Sequence, residues 1–313
     1  MNWPLLIDEK TPEPVRAILR GAGQVMFCGN AVTGFFVLIG FYVSGIMTGI
    51  AATIGLICST LTAHAFKFCL QDIKAGLYGF NGILVAVCLS VFMGHTPQLW
   101  LYIVIASILS SIVWAMMTRL LHICRLPAAT SSFVLISWIF LLMMHASGNQ
   151  PPAPIISITA QIGAIPIETW LTAMMRAISQ ILFSDDVLVG GLLLSGIALV
   201  SWRGAYMAIA GALIGVALPL GMGIDQKAIE AGLYGFNPVL TMIAVGWVFL
   251  ESTPQTTVLA VIAGILAVIW QVVLSSLLMP IGIPVLASPF IFTLWMVLFA
   301  INKFRSGVSV APS

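Results

Sequence analysis

The chain has 313 residues, 60% of them hydrophobic and 7% charged, with a formal net charge of +2 and a mean hydropathy of +1.12. So apolar a composition excludes an ordinary soluble domain: one core cannot hide that much apolar surface, so the chain must face lipid. A nucleic-acid partner is not expected.

The start, Met1-Asn2-Trp3-Pro4, lacks a basic region followed by an apolar core and cleavage site, so no cleaved signal peptide is expected. Five apolar stretches come next, at 20–43, 46–66, 76–94, 98–119 and 127–147. Each is long enough to cross a hydrocarbon core ~30 Å thick. Five more lie at 176–200, 202–222, 232–250, 256–279 and 284–302. Between the two sets, 148–166 carries Pro151, Pro152, Pro154 and Pro166 and reads as an extracellular linker between the halves.

The second set repeats the first. Gly76-Leu77-Tyr78-Gly79-Phe80-Asn81 returns as Gly232-Leu233-Tyr234-Gly235-Phe236-Asn237, an offset of 156. The same offset carries Arg20, Gln24, Phe27 and Gly34 onto Arg176, Gln180, Phe183 and Gly190. With one residue inserted, Pro127 and Phe133 map onto Pro284 and Phe290. Two homologous repeats, 1–147 and 167–313, are the economical explanation.

Ten of the twelve basic residues fall on the side of the membrane that holds both termini, leaving only Arg176 and Lys227 opposite. By the positive-inside rule both termini are expected in the cytoplasm. Five spans is an odd number, so the second repeat enters the membrane upside down. The predicted fold is thus all-α and polytopic, with ten transmembrane helices in two inverted five-helix repeats. Inverted repeats meet near the midplane, where many carriers place their substrate.

Two polar segments precede the hexads, at 67–75 and 223–231, and each reads as a short tilted helix dipping partway into the membrane. The hexad glycines permit a turn, and Asn81 and Asn237 can cap freed amides. Packing glycines between membrane helices are the alternative. Pro127 and Pro284, each followed by hydroxyl residues, mark helices starting inside or near the membrane, whose first amides lack intrahelical partners. Gln24 and Gln180 stand one turn before Phe27 and Phe183, so each amide is expected to share a helix face with a ring. Such an amide needs a partner in hydrocarbon: either a solute or a neighbouring helix.

The predicted spans hold almost no Asp, Glu, Lys or Arg away from their ends, which argues for a neutral solute moving passively rather than ion coupling. His64, His95, His122 and His145 lack ligand spacing, so no metal or other cofactor is expected. No nucleophile–base pair or nucleotide fingerprint is present, so the chain does not read as an enzyme. Cys28, Cys58, Cys69, Cys88 and Cys124 read as buried small hydrophobes rather than a disulfide framework.

The doubled hexad, Gly23-Gln24-Val25-Met26-Phe27, and Leu126-Pro127 leading to Thr130 resemble the urea transporters, particularly short bacterial members. The resemblance covers about 16–303. It implies a homotrimer with a separate pore in each protomer, passing urea down its gradient through a bacterial inner membrane. It further implies two outer substrate positions, Gln24 with Phe27 and Phe80, and Gln180 with Phe183 and Phe236. Leu84 and Leu240 would narrow the middle. The family's two central threonines correspond to Thr130 and to Ala287, which has no hydroxyl; the missing acceptor is expected from Ser288, a backbone carbonyl or water. A channel for another small neutral solute (a short amide, methylurea, ammonia or water) is the alternative reading, and a non-transporting scaffold a third.

Overall fold

In hydrocarbon each backbone amide must find its partner inside the chain, and helices achieve this within one segment. The computed structural model describes residues 3–94, 97–147 and 166–307, and among them the regular elements are all helical. The expected linker, apart from Pro166, and His95 lie outside the described residues.

The first half runs α1 (Trp3–Lys10), α2 (Glu13–Gly23), α3 (Ala31–Ser44), α4 (Ile46–Ala65), α5 (Leu70–Lys74), α6 (Gly79–Phe92), α7 (Pro97–His122) and α8 (Ser131–Ala146). The second runs α9 (Ile167–Ser179), α10 (Val187–Val200), α11 (Trp202–Gly221), α12 (Gln226–Glu230), α13 (Phe236–Ile243), α14 (Pro254–Leu278) and α15 (Ser288–Gly307). The helices α4, α7, α11 and α14 are long and apolar enough to cross a membrane. Two further spans arise if α2 with α3, and α9 with α10, each count as one bent element. This is an integral, multi-pass, all-helical membrane protein.

The expected uninterrupted spans at 20–43 and 176–200 are corrected. Each breaks in the middle, with bends of 71° and 76°. A 3-10 turn over Gln24–Met26 ends at Phe27, whose φ of 59° is left-handed, and Gln180–Leu182 ends likewise at Phe183, also at 59°. Asn30 and Asp186 then start α3 and α10, accepting bonds from Val32 N at 2.9 Å and Leu188 N at 2.8 Å. The glutamine and the phenylalanine therefore do not share the face of one helix. A left-handed non-glycine residue costs about 1–2 kcal/mol, so packing must hold both turns.

Four further helices begin later than the expected spans at 76, 127, 232 and 284, at Gly79, Ser131, Phe236 and Ser288. Positive φ values at Gly76, Ala129, Gly232 and Leu286 stop the helix upstream of each. The short helices α5 and α12 fall inside the two segments expected to dip. Cysteine burial is also corrected: Cys28 and Cys88 are buried, but Cys69 and Cys124 are exposed.

The one-residue insertion has a location. A π-turn over Ala244–Val248 succeeds α13, whereas α6 runs as regular helix to Phe92. A π-turn absorbs an extra residue without shifting the chain beyond it. The offset is 156 before it (Phe80 to Phe236) and 157 after it (Phe92 to Phe249, Pro97 to Pro254).

The halves meet through reciprocal contacts. Helices α3 and α10 cross where Gly196 sits beside Thr33 and Phe36, and where Gly40 sits beside Val189. Thr33 Oγ1 donates to the Gly196 carbonyl at 2.8 Å. Trp138 Nε1 donates to the Pro284 carbonyl at 2.9 Å, and its counterpart Trp295 to the Pro127 carbonyl at 2.8 Å.

Candidate functional site

The break in each bent span presents its glutamine to the segment just ahead of a hexad. Gln24 Nε2 donates to the Ala75 carbonyl at 3.0 Å, and Gln180 Nε2 to the Ala231 carbonyl at 2.8 Å. Each bond consumes an amide hydrogen and leaves Oε1 as an acceptor. Close packing demands glycine nearby: a Cβ on Gly34 would lie 1.8 Å from the Leu19 carbonyl oxygen, and one on Gly190 2.1 Å from that of Met175. The bent spans cannot open there.

Each hexad asparagine caps the last helix of its half, fully buried. Asn81 Oδ1 accepts from Phe133 N at 3.1 Å while its Nδ2 donates to the Ala129 carbonyl. Asn237 repeats this with Phe290 N at 3.1 Å and the Leu286 carbonyl. The free helix-start amides expected after Pro127 and Pro284 are thus partly claimed by asparagine.

Phenylalanines cross between halves. Phe27 meets Phe249 and Phe290 edge-on, with centroids 6.3 and 5.8 Å apart; Phe183 meets Phe92 and Phe133 edge-on at 6.4 and 6.2 Å. Such geometry fixes ring planes.

A cavity of about 360 Å³ lies beside the Phe183 cluster. Three equivalent pairs line it: Val25 with Ile181, Leu84 with Leu240, and Thr130 with Ala287. Both halves therefore contribute to its wall. It extends past Gln180, Phe183, Phe236 and Gln271. Among the described residues, no charged side chain lines it. Thr130 Oγ1 is buried on this wall without a hydrogen-bond partner.

Of the residues expected to bind solute, Leu84, Thr130, Gln180, Phe183, Phe236 and Leu240 share this cavity. Gln24, Phe27 and Phe80 do not line it. The two halves differ at this depth of the fold. The residue matching Gln271 in the first half is Trp114, whose ring packs against Tyr78 at 4.8 Å, and Tyr78 in turn stacks on Phe68 at 5.3 Å. Packed rings thus stand in the first half where an amide stands in the second. Ser288 is also absent from the wall: its hydroxyl is buried and donates to the Val285 carbonyl at 2.7 Å. The hydroxyl missing at Ala287 is not replaced from there.

Sequence reasoning missed Gln271, Phe92, Phe249, Trp138 and Trp295. Gln271 is visible as a lone amide in an apolar run. The other four are repeat mates at an offset of 157, found only when the matching is extended beyond the insertion.

A multi-pass helical protein with an uncharged, amide- and ring-lined cavity has the architecture of a membrane transport protein for small neutral solutes. The family described as "Urea transporter" matches residues 15–302, and the chain belongs to it. Among similar proteins, Urea transporter 1 of Capra hircus is 27% identical over 297 residues, covering 91% of this chain and 77% of that protein. Urea transporter 1 of Mus musculus is 28% identical over 278 residues, covering 85% and 72%. The family comprises transporters, not enzymes.

Proposed function

We propose that this protein is a channel-like facilitator that lets urea pass down its gradient through a narrow uncharged passage in each protomer. The observation that carries the reading is the cavity, with Gln180, Phe183, Phe236 and Thr130 on an interior wall without charge. Urea is flat and neutral, with one strong acceptor and four N–H donors. Ring edges and faces fit its thickness, while Gln180 Oε1 and the unpartnered Thr130 hydroxyl accept its protons. Neutral solutes exchange water for such groups stepwise; an ion loses far more in an uncharged slot.

The reading includes ten spans in two inverted repeats. Supporting this, the contacts Trp138 to Pro284 and Trp295 to Pro127 exchange roles between halves, as a two-fold axis requires. Gln24, Phe27 and Phe80 form the matching position in the first half, with both termini cytoplasmic in a bacterial inner membrane and three protomers assembled together. With Ala287 at the centre, one acceptor is missing, which favours slower urea passage or a solute with fewer N–H donors, such as a methylated urea.

Stopped-flow efflux from proteoliposomes tests the function. Urea flux is expected to be fast and insensitive to voltage and proton gradients. Flux no faster than protein-free vesicles, or flux that requires an ion gradient, contradicts it.

A further inference from the structure

A second hollow, of about 520 Å³, adjoins the cavity and shares Tyr234, Ser275 and Met279 with it. Asp225 lines this vestibule, only 8% exposed. It precedes α12 without capping it, and no side-chain hydrogen bond or ion pair reaches its carboxylate among the described residues. The neighbouring acid Glu230 is bonded to Gln226. The first-half counterpart of Asp225 is Cys69, which is exposed and carries no charge in its thiol form. Its carboxylate oxygens are not sealed off among the packed side chains and open onto the hollow as acceptors. Among the described residues, Asp225 is also the only charged side chain lining the vestibule or the cavity behind it.

We infer that Asp225 forms a capture subsite for planar N–H cations of the guanidinium class, which bind at the vestibule and block it without passing. A guanidinium presents two parallel N–H groups to a carboxylate, the strongest hydrogen-bonding geometry available to such a group. Beyond the vestibule no lining carboxylate compensates its charge, so it halts where urea proceeds. The inference rests on the cavity being the solute passage. Charge is therefore selected at the mouth, by retention, before the ring-lined slot rejects it.

The test measures urea efflux from proteoliposomes with guanidinium chloride added, against sodium chloride at equal ionic strength. Guanidinium is expected to inhibit the wild type. Asp225→Asn is expected to raise the half-inhibitory concentration about tenfold or more, while Asp225→Glu stays within about threefold of the wild type. Equal sensitivity of wild type and Asp225→Asn, inhibition matched by sodium, or uptake of guanidinium itself overturns the subsite. Saturation-transfer NMR of guanidinium with the purified proteins reads binding directly: a signal in wild type that disappears in Asp225→Asn supports the subsite, and equal signals refute it. Absent urea flux with an intact NMR difference overturns the channel reading and not the subsite.

Discussion

At the scale of single residues, the paired glutamines show how a polar amide is made useful in a membrane. One hydrogen of Nε2 is committed to a backbone carbonyl in each half, which fixes the plane of the amide and leaves Oε1 to accept. Replacing Gln180 by Leu removes that acceptor and leaves the Ala231 carbonyl unpaired. Losing one such bond at about 1–1.5 kcal/mol lowers urea flux roughly tenfold, measured by stopped-flow efflux with the purified protein's elution volume unchanged. Wild-type flux in Gln180→Leu makes the glutamine a purely structural element. Ala287→Thr supplies the absent central hydroxyl opposite Thr130 and is expected to raise urea flux while lowering the preference for methylurea. Unchanged rates and selectivity would remove Ala287 from the selectivity argument. These residues are legible in the sequence because they are duplicated. Their geometry is not: nothing in Gly-Gln-Val-Met-Phe announces a left-handed phenylalanine, a conformation held by the packing of Gly34 and Gly190 against the backbone of Leu19 and Met175.

At the scale of elements, helix starts and one irregular turn decide the result. Asn237 satisfies an amide of α15 and a carbonyl of its preceding turn, shut away from solvent. Asn237→Ala leaves both unpaired and buried, so about 2–4 kcal/mol of stability is expected to go, seen as a lower apparent melting temperature in detergent. The capping role is readable from the asparagine's place in the hexad; its target, 53 positions away, is not. The π-turn makes a sharper prediction. Deleting Val245 restores the spacing of the first half, and Phe249 stays opposite Phe27; folding and flux are expected to persist. The first half has no spare residue to give up. Removing Val85 from regular α6 rotates Phe92 by about a third of a turn away from Phe183 and is expected to abolish flux. Loss of function in both deletions alike would show that the π-turn does more than absorb a residue.

At the scale of the whole molecule, sequence pattern exposes the duplication and the apolar spans but not how the halves interlock. Trp138 and Pro284 are 146 positions apart, and Trp295 and Pro127 are 168 apart, beyond any local periodicity. The proposed orientation has a direct check in the cysteines that are exposed against expectation. Cys69 and Cys124 are both exposed and both fall on the side assigned to the cytoplasm. A membrane-impermeant maleimide is therefore expected to label them in inside-out vesicles and to spare them in intact cells. Labelling from the outer face would invert the assignment.

The exchanged indole bonds also bear on speed. A carrier that exposes its cargo alternately to each compartment rocks one bundle over the other, and every cycle would here tear both tryptophans from the prolines that receive them and slide α3 along α10. With these contacts between its halves, the protomer is expected, on the proposed reading, to act as a fixed conduit. Its throughput would then depend on how quickly molecules hop along it and not on how often the protein changes shape.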